Sequence, residues 1–199
     1  MAITVEMITK LREKTGCGMM DCKAALTETA GDFDKAIELL RKKGMAAATK
    51  RAGRTACQGL VDSYIHIGGK IGVLIEVNCE TDFVAQGIDF QAFVKDLCMQ
   101  IAASSPQYIN KEDVPAEVIA REKEILTAQT KEEGKPEAAL PKIVEGRLQK
   151  FYGEICLMEQ PFVKDPKVAV KDLLANLLAK IGENIVVRRF VRYQLGENS

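Results

Sequence analysis

A single histidine and no tryptophan occur among the 199 residues, and aromatic side chains make up only 6%. Any Ser–His–Asp catalysis would therefore have to use His66. The six cysteines, at 17, 22, 57, 79, 98 and 156, include no C-x-x-C pair. With one histidine beside them, they do not make a zinc site of the usual thiolate or thiolate–imidazole kind. One sign of charge is not in excess, because 28 basic side chains meet 28 acidic ones. A protein that grips nucleic acid by neutralising phosphates is normally basic, so that class is disfavoured. No run of ~18 apolar residues is present, which excludes a membrane-spanning helix. The opening Met1-Ala2-Ile3-Thr4-Val5-Glu6 has no basic segment followed by an apolar one, so a secretory signal is not expected. Gly68-Gly69-Lys70-Ile71 lacks the Ser/Thr and glycine spacing of a phosphate loop, and Gly16-Cys17-Gly18 lacks the third glycine of a dinucleotide fingerprint. The expectation is a non-enzyme with no cofactor, no metal, no direct nucleic-acid contact and no membrane contact.

What is present reads as a folded cytoplasmic protein. Hydrophobic residues make up 47% and charged residues 28%, both near the globular average. Scattered cysteines without a signal fit a reducing compartment, where they serve as small buried apolar groups. Residues 1–56 hold 11 basic and 7 acidic side chains, whereas 57–199 hold 17 and 21. That shift marks two units.

The first unit reads as three short helices. Thr4 caps the first, with Val5, Ile8 and Leu11 or Arg12 on one face, and Gly16 ends it. Asp21 or a neighbour starts the second, with Ala25 and Leu26 inward, and Gly31 stops it. Asp32 caps the third, in which Phe33, Ala36, Ile37 and Leu40 recur at helical spacing before Gly44. The Ala-rich stretch from Met45 to Ala56, with Lys50, Arg51 and Arg54, reads as a basic tether. A nucleic-acid contact is the alternative reading.

The second unit opens with a β-hairpin. Val61, Ser63, Ile65 and Ile67 alternate with their neighbours, Gly68-Gly69-Lys70 turns the chain, and Ile71 to Cys79 alternates cleanly. His66 beside the turn reads as an exposed strand residue. A helix over 89–104 carries Phe90, Phe93, Val94, Leu97 and Ile101 on one stripe. Two further helices, from Pro115 to about Lys131 and carrying Ile143 to Phe151, form a helical hairpin at about 115–152. Pro161 and Pro166 flank a loop. A helix over 168–181 and a last strand over 185–195, interrupted by Arg188, Arg189 and Arg192, complete the chain. Charges on an edge strand discourage unwanted pairing.

Between hairpin and helix lies Cys79-Glu80-Thr81-Asp82-Phe83-Val84-Ala85. Thr81 or Asp82 can cap a short helical start there. Phe83 is then either packed inward or held out, and composition favours packing.

Four ordered blocks give the chain a resemblance. Leu11-Arg12-Glu13-Lys14-Thr15-Gly16-Cys17-Gly18-Met19-Met20-Asp21-Cys22-Lys23 resembles the N-terminal signature of the elongation factor Ts (EF-Ts) family. Val77-Asn78-Cys79-Glu80-Thr81-Asp82-Phe83-Val84-Ala85 is similar to its second signature. Glu145-Gly146-Arg147 through Gln160-Pro161-Phe162, and Lys180-Ile181-Gly182-Glu183-Asn184-Ile185, match further blocks in order. The resemblance spans about residues 5–196 and is closest to the short form with one core subdomain.

The resemblance implies an α+β fold. A ubiquitin-associated-like three-helix domain over 1–45 and a linker over 46–56 would precede a core over 57–199. That core would carry a small antiparallel sheet and a projecting helical hairpin. It implies a guanine-nucleotide exchange factor for the translational GTPase EF-Tu, met in GDP-bound and nucleotide-free states, and a homodimer. Thr81, Asp82, Phe83 and Val84 fall on the stretch credited with dislodging magnesium from EF-Tu. Leu11, Arg12, Met19 and Met20 fall on N-terminal-domain positions that contact the GTPase. Two departures stand out. Many members have a histidine where this chain has Gln100, and Pro141 interrupts the second hairpin arm, which should begin near it. The rival reading is a non-catalytic adaptor that uses the ubiquitin-associated-like domain. A second rival is an enzyme using Asp82 with His66 or Glu80.

Overall fold

The computed structural model describes residues 3–51 and 53–197, with backbone alone for 45–51. Its architecture is α+β. Three helices come first: α1 (Val5–Thr15), α2 (Met19–Glu28) and α3 (Phe33–Arg51). The Thr4 side chain accepts the Met7 N–H at 3.3 Å, and Gly16 ends α1 in the left-handed conformation, its N–H donating to the Arg12 carbonyl. Gly18, rather than Asp21, precedes α2. Asp32 caps α3 through the Lys35 N–H at 3.1 Å.

These helices enclose Ile8, Leu11, Cys17, Cys22, Ala25, Leu26, Ala36 and Leu40. Val5 is exposed, and Ile3 and Met7 pack against this core in its place. The inward face of α1 runs through Met7, Ile8 and Leu11, at helical spacing, which passes Val5 by.

Gly44 does not stop the third helix, which continues through it to Arg51. A β-carbon at Gly44 would lie 3.1 Å from that of Ala179. Its glycine permits close approach to a neighbouring helix and is not a terminator. The side chains of Lys50 and Arg51, on which the basic-tether reading turns, lie outside the described residues.

Strands β1 (Gln58–Ile65) and β2 (Ile71–Cys79) form the expected hairpin, and β5 (Ile185–Gln194) lies on the other side of β2, so the order is β1-β2-β5. The arginine-bearing strand is an edge, as its charges imply. In β2 every second residue, Val73, Ile75, Val77 and Cys79, is buried. Gly59 sits at φ +146°, and a β-carbon there would approach the Val77 carbonyl oxygen at 2.2 Å. Only glycine fits there.

After a one-turn helix, α4 (Asp82–Ala85), comes α5 (Ile88–Ser104), whose stripe of Phe90, Phe93, Val94, Leu97 and Ile101 is buried throughout. Each such side chain is worth ~1.5–3 kcal/mol of burial. The hairpin consists of α6 (Ala116–Glu132) and α7 (Leu140–Ile155). Pro141 lies in the first turn of α7, as required, and a short 3-10 turn over Glu137–Ala139 lengthens the link. Val114, Leu126, Leu148, Tyr152, Ile155 and Cys156 form its core.

The segment between Pro161 and Pro166 is not a plain loop. Strands β3 (Pro161–Phe162) and β4 (Asp165–Ala169) pair antiparallel. Prolines are tolerated in so short a ribbon because edge positions need no N–H. Helix α8 (Val170–Ile181) leads to β5.

The chain divides into two compact units. One comprises Met1–Asp62, Ile75–Asp96 and Asp172–Phe190, the other Ser63–Leu74, Leu97–Lys171 and Val191–Ser199. Among the described residues no helix is long and apolar enough to cross a membrane.

Candidate partner-binding site

Strand β2 ends at Cys79, and the next two residues carry the chain into α4. Thr81 is extended (φ −126°, ψ 153°) and caps the single turn by accepting the Val84 N–H at 3.4 Å. Val84 and Ala85 face inward and are buried, whereas Asp82 is exposed and Phe83 is 84% exposed. The composition-based preference for a packed Phe83 is thus overturned. A four-residue helix has two inward positions on one face, and Val84 and Ala85 occupy them. Ile88, at the start of α5, is 86% exposed. Two large apolar side chains five residues apart therefore stand in solvent.

The entry to α4 is held from a distant part of the chain. One Glu183 carboxylate oxygen, Oε2, accepts the Glu80 N–H at 3.2 Å and the Thr81 N–H at 3.0 Å. The other, Oε1, accepts the Thr81 hydroxyl at 2.6 Å. In return, Glu80 Oε1 accepts the Asn184 N–H at 2.6 Å. Asn184 is buried and its side-chain amide donates to the Arg54 carbonyl at 2.8 Å. The Arg54 guanidinium lies 3.6 Å from the second Glu80 oxygen. Beneath this, the Cys79 thiol donates to the Thr81 carbonyl at 3.1 Å. Burial pushes that thiol above its ordinary range, and the nearby Glu183 charge adds to the effect, so it stays protonated.

The three-helix core supplies the other candidates. Met19 and Met20 open α2 and are exposed, Met20 strongly, and Arg12 is exposed on α1. Leu11 is fully buried, so it supports that surface from beneath. Both groups of candidates belong to the same compact unit. Lys180 bridges their neighbourhoods. Its stem lies 3.4 Å from where a β-carbon of Gly16 would stand, in the α1–α2 turn, and its ammonium pairs with Asp89 of α5 at 2.6 Å.

Gln100 is turned into the interior. It is fully buried and donates to Ser104 Oγ, Gln160 Oε1 and the Pro161 carbonyl, while its oxygen accepts the Val163 N–H at 2.8 Å. His66 Nδ1 lies 3.0 Å from the Tyr64 hydroxyl. Among the described residues no group of three or more His, Cys, Asp and Glu could hold a metal ion.

The family model for elongation factor Ts matches residues 19–197. The chain belongs to the elongation factor Ts family. It is 62% identical over 195 residues to elongation factor Ts of Caldanaerobacter subterraneus subsp. tengcongensis, covering 98% of each chain. It is 61% identical over 195 residues to that of Carboxydothermus hydrogenoformans, covering 98% of this chain and 90% of the relative. It is 61% identical over 197 residues to that of Geobacter sulfurreducens, covering 99% and 91%. Membership assigns the chain to translation elongation in protein biosynthesis. The sequence carries no signal for the role of Glu183, although it lies in an EF-Ts block, or for the exposure of Ile88. A carboxylate 102 residues from its partner leaves no local pattern. Ile88 reads as ordinary helix core until its face is seen uncovered.

Proposed function

We propose that this protein is the guanine-nucleotide exchange factor for EF-Tu, working by insertion of Asp82 and Phe83 near the magnesium and phosphate site of the GTPase. The observation that carries this reading is an aromatic side chain left 84% exposed at the tip of a segment whose backbone is firmly tied. Exposing Phe83 forgoes ~1.5–3 kcal/mol of burial, so a site built this way has a use for it. Thr81 and Val84 frame the wedge, one as cap and one as anchor.

The logic is linkage. An exchange factor must bind the nucleotide-free partner more tightly than the nucleotide-bound one. Reversing a 1:99 population needs a preference of roughly 10⁴-fold. Magnesium demands near-octahedral oxygen geometry, so a wedge that shifts its ligands slightly weakens its hold on the phosphates. No covalent step and no cofactor is required, and the protein acts in the cytoplasm without catalysing a reaction of its own.

Residues 1–45 serve as the ubiquitin-associated-like docking domain, joined by 46–56 to the core over 57–199. Exposed Arg12, Met19 and Met20 meet the GTPase, and Leu11 backs them. Methionine suits such a contact because it is flexible and apolar. The protein is a homodimer. Ile65, Ile67, Leu74, Tyr193 and Leu195, all in the second compact unit, are exposed apolar side chains on or beside strands, and a second copy would cover them.

The test is release of fluorescent GDP from EF-Tu, with and without this protein, across a magnesium titration. Acceleration that shrinks as magnesium rises is the expected result. No acceleration at any magnesium level returns the adaptor reading.

A further inference from the structure

The exposed wedge poses a mechanical question. Phe83 has almost no packing of its own, and a four-residue helix is far below the length at which helices persist unaided. Its direction must come from its flanks. On the C-terminal side Val84 and Ala85 are buried. On the N-terminal side Glu80 and Thr81 are tied by hydrogen bonds to Glu183 and Asn184.

We propose that Glu183 is a positioning residue for exchange, fixing the aim of Phe83 through the backbone of Glu80 and Thr81. Its carboxylate takes three donors at once, two N–H groups and one hydroxyl. Bonds to an ionised acceptor are roughly twice as strong as neutral ones. The hydroxyl bond does a second thing. Thr81 commits its proton to Glu183 at 2.6 Å, which leaves an oxygen lone pair for the Val84 N–H. Glu183 therefore orients the cap as well as the strand exit. The link from Glu80 to the Asn184 N–H closes the clasp in the opposite direction, so neither segment can slide without breaking a charged hydrogen bond. The inference rests on the exchange reading above, and it assigns Glu183 a role exerted through Glu80 and Thr81.

The experiment is a double-mutant cycle read by stimulated GDP release from EF-Tu. Glu183→Ala should lower the maximal stimulated rate by about ten- to a hundredfold, from the loss of charged hydrogen bonds. The concentration for half-maximal effect should move by less than about threefold, because docking elsewhere is intact. Glu183→Gln keeps an acceptor without the charge and should fall between the two. In a Phe83→Ala background the same Glu183→Ala change should cost less than about twofold, because it acts through Phe83. An undiminished cost in that background, or a wild-type rate for Glu183→Ala beside a damaged Phe83→Ala, overturns the proposal. If Phe83→Ala is itself silent, the exchange reading fails separately. Amide hydrogen exchange then decides the positioning claim: faster exchange over Thr81–Val84 in Glu183→Gln supports it, and unchanged exchange overturns it.

Discussion

Two irregular segments of this molecule are held by side chains that bond to backbone, and they are held with different chemistry. In the first unit the entry to α4 is clasped by carboxylates, Glu183 on the Glu80 and Thr81 N–H groups and Glu80 on the Asn184 N–H. In the second unit the β3–β4 ribbon is held by neutral amides, Gln100 on the Pro161 carbonyl and the Val163 N–H, and Gln160 on the Glu154 carbonyl at 2.8 Å. The difference follows burial. Glu80 and Glu183 keep partial contact with water, whereas Gln100 and Gln160 are at most 2% exposed. A carboxylate sealed at the Gln100 position would have to lose its hydration or its charge, and an amide can satisfy both donors and acceptors at far lower cost. A charge gives the stronger grip where water can share it; a neutral amide gives a complete one where water is gone. Gln100 therefore serves as an interior support of the β3–β4 ribbon.

This contrast predicts that the two segments fail in opposite ways. Asp82→Ala with Phe83→Ala should reduce stimulated GDP release by at least about a hundredfold, as for loss of a binding hot spot. It should leave stability within ~1–2 kcal/mol of wild type, because neither side chain is buried. Release kinetics beside urea unfolding check both halves, and an unfolded variant would put Phe83 in the core.

Gln100→Leu should do the reverse. It strips partners from Gln160, the Pro161 carbonyl and the Val163 N–H, at a cost of ~2–4 kcal/mol in urea unfolding. The release rate per folded molecule should be unchanged. A loss of exchange without loss of stability would break the contrast.

Buried Cys156 gives an alkaline probe of the second unit. Burial first, then the Glu159 charge, pushes its thiol up to about 11 from the ordinary 9.0. The folded state therefore holds this proton more tightly than the unfolded chain. The associated stability is complete below pH 9.0 and is lost as pH rises toward about 11. Over that window stability should fall about one proton more steeply, ~1.4 kcal/mol per pH unit, than in Cys156→Ala.

The smallest effect belongs to the exposed hairpin. The Arg147 guanidinium reaches both oxygens of Glu133 at 2.7 Å and lowers its carboxyl pKa. That stabilisation exists above the ordinary carboxyl value and is lost as pH falls through the lowered one. Arg147→Ala should lower the thermal midpoint slightly at pH 7, and the difference should vanish in acid, as for other exposed pairs.

Much of this protein was determined by sequence alone, because the relevant signals are local. Helical and alternating periodicity placed the hairpin, α5, the α6–α7 pair and the start of α7 at Pro141, since the backbone hydrogen bonds and side-chain periods that define them span a few residues. A cap at Thr81 or Asp82 was legible for the same reason, and the structure places it at Thr81. Tertiary structure decided which faces are covered. It put Leu11 inside and Met20 outside, although both are apolar residues of one signature block. It turned Gly44 from a terminator into a point of close approach to Ala179. It left Phe83 and Ile88 in water and brought Glu183 across more than a hundred residues to hold the entry to α4. Whether an apolar side chain is buried, and which carboxylate meets which N–H, depends on elements that arrive from elsewhere in the chain, and no local pattern encodes their arrival.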